Sequence, residues 1–92
     1  VASRDKMKIK IKSILKTCDA CPAQWEGETE KGCEVYVRFR HGFGYIMVAS
    51  EPGADVFAGE TVFNWEGEPG MGVLSYQELI ELAHQFEWPE SD

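Results

Sequence analysis

Strict alternation opens the chain: Ile9 and Ile11 fall on one side of the stretch Met7–Lys12, and Lys8, Lys10 and Lys12 on the other. Period two with β-branched residues predicts a strand with one buried face, and lysine at every outward position suits a sheet edge. Thr17–Pro22 reads as a connection, because Pro22 restricts Cys21 to extended geometry. Ala23–Thr29 reads as the next strand, and Glu30-Lys31-Gly32 as a three-residue hairpin loop with Gly32 in the left-handed position. Glu34–Arg40 alternates most clearly, with Val35, Val37 and Phe39 on one face and Tyr36, Arg38 and Arg40 on the other. His41-Gly42 is a two-residue turn, and Phe43–Ser50 returns as the partner strand.

That turn sets a register. It pairs Arg40 with Phe43, Arg38 with Tyr45 and Tyr36 with Met47 on one face, and Phe39 with Gly44, Val37 with Ile46 and Val35 with Val48 on the other. The loop at 30–32 places Trp25 beside Val37 on the apolar face. Residues 51–72 are punctuated by Pro and Gly, with Glu60–Trp65 expected as a short strand. Ser75 and Glu78 have capping-box spacing, and Tyr76, Leu79, Ile80, Ala83 and Phe86 form one helical stripe that Pro89 terminates. The expectation is an α+β fold: an antiparallel meander of four or five strands packed on one C-terminal helix. The helix stripe covers the face of Ile9, Ile11, Trp25, Val35, Val37, Phe39, Ile46 and Val48.

Length allows one domain, read as 7–92, with residues 1–6 as an arm or an expression remnant. No apolar run is long enough for a membrane helix, and no signal-peptide pattern stands at the N-terminus, so the reading is cytoplasmic. Three cysteines, an odd number, fit reduced thiols better than a disulfide framework. Charge is uneven. Residues 1–16 carry six bases against Asp5, whereas residues 17–92 carry three bases against fifteen acids. A net charge of −7 argues against nucleic-acid binding as a function, although an acidic body suits a nucleic-acid mimic acting on a nucleic-acid-binding enzyme.

The stretch Cys21-Pro22-Ala23-Gln24-Trp25-Glu26-Gly27, followed by Val35-Tyr36-Val37-Arg38-Phe39-Arg40-x-Gly42, resembles a group of small bacterial proteins carrying CPxQWEGxTxxGxxVYVRYRxG, some borne on integron and other mobile gene cassettes. The likeness covers residues 21–48 and, more loosely, the capped helix; Cys33 and His41 stand where such sequences usually have other residue types. The resemblance implies the fold and brings no activity with it.

Cys18-x-x-Cys21, Cys33 and His41 are the residue types of a tetrahedral zinc site, and the alternative role they offer is a small enzyme or a metal-dependent accessory protein. Cys33 and His41 belong, however, to hairpin turns at opposite ends of one strand, about seven residues or roughly 23 Å apart. No metal or cofactor is therefore expected, and no catalytic residue is assigned. Tyr36, Arg38, Arg40, Phe43, Tyr45 and Met47 share the second face of the meander, beside Gln24, Glu26 and Glu28. Those residue types are enriched at interface cores. The expected role is a non-enzymatic binding module for a protein or small molecule, most simply a homodimer packed sheet to sheet. The opposing expectation is that Gln24 and Glu26 neutralise the arginines across the strands. Phe57, Phe63 and Trp65 are expected to cap the core, and Trp88 to pack back onto it.

Overall fold

The computed structural model describes residues 9–18, 23–70, 72–90 and 92. Five strands form one sheet in the order β1-β2-β3-β4-β5: β1 (Ile11–Cys18), β2 (Ala23–Thr29), β3 (Glu34–Arg40), β4 (Phe43–Val48) and β5 (Glu60–Glu66). A 3-10 helix, Val56–Ala58, precedes β5, and one helix, α1 (Tyr76–Leu82), follows it. Every neighbouring pair of strands is antiparallel, so the fold is the α+β meander that the alternation predicts. No helix among the described residues is long and apolar enough to cross a membrane.

The six β3–β4 pairs fall in the register set by the turn, from Arg40↔Phe43 to Val35↔Val48, and Trp25 stands opposite Val37. His41 and Gly42 both have positive φ, at 57° and 77°. A tight turn of that hand matches the twist of the flanking strands, which holds the register. The 30–32 loop closes through Gly32 N–H donating to the Thr29 carbonyl, and the buried Thr29 hydroxyl accepts from the Cys33 N–H.

Inward-facing residues alternate with outward-facing ones along β2 and β3, and the inner face packs on α1. Trp25, Val35, Val37, Phe39 and Ile46 form one cluster with Leu74, Leu79, Ala83 and Phe86, while Ile9, Val48 and Trp88 pack at its margin. Ser75 caps α1 by accepting from the Glu78 N–H, and Glu78 accepts from the Ser75 N–H. Hydrogen bonds from Ser75, chiefly from its backbone, hold the Glu78 carboxyl below its ordinary range.

Two boundaries differ from expectation. The first strand begins at Ile11 and runs on to Cys18, two residues into the expected connection at Thr17–Pro22. Register shifts at Ile11/Ser13 and Lys16/Cys18 interrupt its alternation, so Ile11 and Ile14, three residues apart, both point into the core. The expected part before Ile9 and the connection at 19–22, including Cys21, lie outside the described residues. The helix is also shorter than the stripe implies. It ends at Leu82, and Phe86 reaches the core from the turn that follows. There the Ala83 carbonyl accepts from both the Phe86 N–H and the Trp88 indole.

Beyond that turn, the chain closes the edge of the sheet. Glu87 bridges Lys10, just before β1, in parallel: its N–H donates to the Ile9 carbonyl and its carbonyl accepts from the Ile11 N–H. The Tyr76 hydroxyl donates to the Pro89 carbonyl at 2.6 Å. Burial, with the Asp92 carboxylate adding, pushes this phenol from 10.0 up to about 12. The folded state therefore holds the proton more tightly than the unfolded state. Its contribution is complete below pH 10 and is lost as pH rises from 10 towards about 12. Urea midpoints measured across that window should fall for the wild type and fall less steeply for Tyr76→Phe. Tyr36, whose phenol is also raised, keeps a share of the slope.

A candidate contact face on the outer sheet

The outer face is built by the alternate residues of the same strands, so its pattern follows from the register of the core. Across it, Gln24, Arg38, Tyr45 and Asn64 form one row, and Glu26, Tyr36 and Met47 the next. Arg40 and Phe43 stand at the end nearest the His41-Gly42 turn, and Glu28 opposite Glu34 at the other end. All six candidate residues, Tyr36, Arg38, Arg40, Phe43, Tyr45 and Met47, thus lie on one surface.

They do not share one environment. The segment after β4 folds back over this face, with the Asp55 side chain accepting from the Phe57 N–H to start the 3-10 helix. Its Val56 is buried with Tyr36 and Ala49 in a second small core, against which Cys33, Tyr45 and Met47 pack. Tyr36 is only 6% exposed, because the segment after β4 covers it. Its hydroxyl donates to Gln24 Oε1 at 2.9 Å. Burial raises its phenol above the ordinary value and neighbouring Tyr45 adds to this, while the hydrogen-bonded Arg38 guanidinium pulls the other way. The group is a neutral donor at physiological pH.

Arg40 and Phe43 are exposed, and Arg38 and Tyr45 half-buried. Phe57 joins them from the covering segment, with its ring edge-on to Tyr36 at 4.8 Å and 61% of its surface exposed. Phe57 was expected in the core with Phe63 and Trp65. Those two do pack there, stacked on each other and against Phe39 and Phe86, whereas Phe57 sits on the opposite side of the sheet. The reason is local: the capped 3-10 helix turns the chain onto the outer face before β5 begins. Hydropathy alone does not separate the two destinations.

Among the described residues, neither arginine is bonded directly to Gln24 or Glu26, the contact on which the opposing expectation rests. Gln24 donates to Glu26 and to the Thr17 hydroxyl, so its amide is committed along β2 and β1. The Arg38 guanidinium has the Tyr36 phenol as its neighbour, and among the described residues neither Arg38 nor Arg40 makes an ion pair. Two like charges two positions apart on one strand thus lack a direct ion pair among the described residues, in a chain of net charge −7.

The sulfur and imidazole groups do not converge. Cys18 ends β1 beside Gln24, at the end of the sheet where the His41 turn lies, whereas Cys33 immediately precedes β3 at the other end. Cys21 lies outside the described residues. Among the described residues, no three His, Cys, Asp or Glu side chains gather as a metal would require. No family model matches the chain, and no curated protein or solved structure matches it either.

Proposed function

We propose that this chain is a non-enzymatic binding module whose contact surface is the exposed part of the outer sheet face: Arg38, Arg40, Phe43, Tyr45 and Phe57. The observation that carries the reading is the pair of arginines without ion-pair partners among the described residues, beside exposed rings. Exposed phenylalanine costs about 25 cal/mol per Å² of apolar surface left in water, and covering it recovers that free energy. Arginine beside aromatic rings is the composition of interface centres, where guanidinium groups reach carboxylates in bidentate geometry. The second core on this face supports the same reading, since it fixes Tyr45 and the covering segment that carries Phe57 and limits the ordering cost of association.

A photo-crosslinking residue at position 43, compared with one at Gln77 on the exposed side of α1, tests this in cells. Adducts to another chain should form from position 43 and not from position 77. Arg38→Glu combined with Tyr45→Ala should reduce those adducts at least about tenfold, the scale of losing one interface anchor. Equal adducts from both positions, or none from position 43, contradict the reading.

A further inference from the structure

The two edges of the sheet differ. At the β1 edge Glu87 bridges Lys10, and Lys12 and Lys16 follow along the strand. The other edge is β5, and among the described residues no strand pairs with its outer side. The Gly67 N–H donates to the Gly42 carbonyl, so the bonded pairs between β4 and β5 recur at every second residue from there, at Gly44↔Trp65 and Ile46↔Phe63. Asn64 and Glu66 alternate with those positions and therefore turn their N–H and C=O groups away from β4. Both residues are exposed. Val62 is an extra residue in the ladder, between Thr61↔Met47 and Phe63↔Ile46, and such a bulge bends the start of the strand. The straight, open edge is residues 63–66, roughly 13 Å of backbone.

Side chains decide which strand such an edge accepts. On the inner face Phe63 is half-buried and stacked on Trp65 at the margin of the core. On the outer face Asn64 and Glu66 stand opposite Tyr45 and Phe43. Residues 51–72 carry five acids and no base, and the arginines of β3 lie two strands away, about 10 Å. A strand laid along this edge sets every second side chain beside Phe63 and Trp65, and the others beside Glu66 in an acidic field. We propose that β5 is a docking edge for an extended peptide segment of another protein, in which apolar residues alternate with lysine or arginine. The segment adds as a sixth strand, in the antiparallel sense of every other strand pair in the sheet. Main-chain bonds to Asn64 and Glu66 hold it, and the alternation of its side chains selects it. This surface is separate from the outer-face contact and stands without it.

A second copy of β5 fits the same edge worse. The full antiparallel pairing of two such strands, centred on Phe63, sets Glu60 of each copy opposite Glu66 of the other, and carboxylates directly opposite one another repel. A basic strand meets attraction at the same positions.

The probe is a synthetic Lys-Ile-Lys-Ile-Lys peptide, blocked at both ends and titrated into the nitrogen-15-labelled chain by NMR. Shifts should saturate, and the amides of Asn64 and Glu66 should exchange more slowly with peptide bound. Methylating the backbone nitrogen of the central lysine removes the N–H that faces Asn64, whereas an isoleucine nitrogen faces solvent. The first methylation should weaken binding roughly tenfold or more, and the second should leave it within a few fold. Asn64→Pro should also weaken binding roughly tenfold while the chain stays folded by circular dichroism, because β4 does not use that N–H and an edge strand tolerates proline. Glu66→Lys should weaken it roughly two- to fivefold, the scale of an exposed ion pair. Where Asn64→Pro does not fold, the two methylated peptides decide. The absence of saturable shifts overturns the proposal, as does equal binding of the two methylated peptides or undiminished binding to a folded Asn64→Pro. Asn64 and Glu66 amides that shift on dilution of the chain alone assign the edge to a second copy and overturn the basic occupant.

Discussion

Trp25→Ala should leave the domain largely unfolded at physiological temperature. Trp25 is fully buried at the centre of the cluster formed by β2, β3, β4 and α1, and its indole N–H donates to Asp92 at 2.9 Å. Lys16 lies over its ring, 5.0 Å from the centroid, while donating to the Leu74 carbonyl. One side chain therefore joins the second strand, the first strand and the segments on either side of α1. Large-to-small replacement of a buried tryptophan costs about 3–5 kcal/mol, against a stability near 5 kcal/mol at the lower end for a domain of this length. Thermal unfolding should shift down by roughly 15 °C or more. Trp25→Phe keeps most of the volume and loses the bond to Asp92, so it should cost only about 1–2 kcal/mol. A Trp25→Ala melting temperature within a few degrees of wild type contradicts the packing described.

Gly27→Ala is the second large effect, and its sign is informative. Alanine is better than glycine in a strand by about 0.5–1 kcal/mol, so propensity alone predicts a gain. At this position a Cβ would be driven into the backbone carbonyl of Ser13, with Ile14 Cα only 2.8 Å away. Those atoms belong to β1, which cannot move off without breaking its pairing with β2 and withdrawing Ile11 and Ile14 from the core. The expected loss is about 3 kcal/mol or more, the upper range for overpacking. In urea the midpoint should fall. By hydrogen exchange, the amides of β1 should lose protection before those of β3 and β4. A variant as stable as wild type contradicts the close approach of the two strands.

These two residues also show what the sequence could and could not reveal. Trp25 was placed in the core, opposite Val37, from a loop length and an alternation alone. That argument works because a slip of one residue would turn every side chain to the wrong face. The β3–β4 hairpin was legible for the same reason, with His41-Gly42 pinning its register. The close approach at Gly27 was not legible, because it depends on how β1 continues past Lys12. Bulges change the side-chain period there, and Ile11 and Ile14 no longer read as one strand.

The contact face divides along similar lines. Alternation alone groups its six residues on one side of β3 and β4, and the register has them there. Its depth was hidden, because the segment 49–58 has no periodicity to announce that it returns across the sheet. Tyr36 and Met47 therefore read as surface residues although they pack in a second core, and Phe57 read as a core residue although it lies exposed. An Asp two residues before a phenylalanine was the available signal for the capped turn. Such a cap gives a local conformation and says nothing of which face it will meet.

Native mass spectrometry of the chain purified from cells, run beside Arg38→Glu/Tyr45→Ala, is the most direct test of the outer face as a contact surface. The account predicts an assembly in the wild type that is absent from the double variant, with both samples folded by circular dichroism. Identical spectra from the two proteins, whether monomer or assembly, would contradict it.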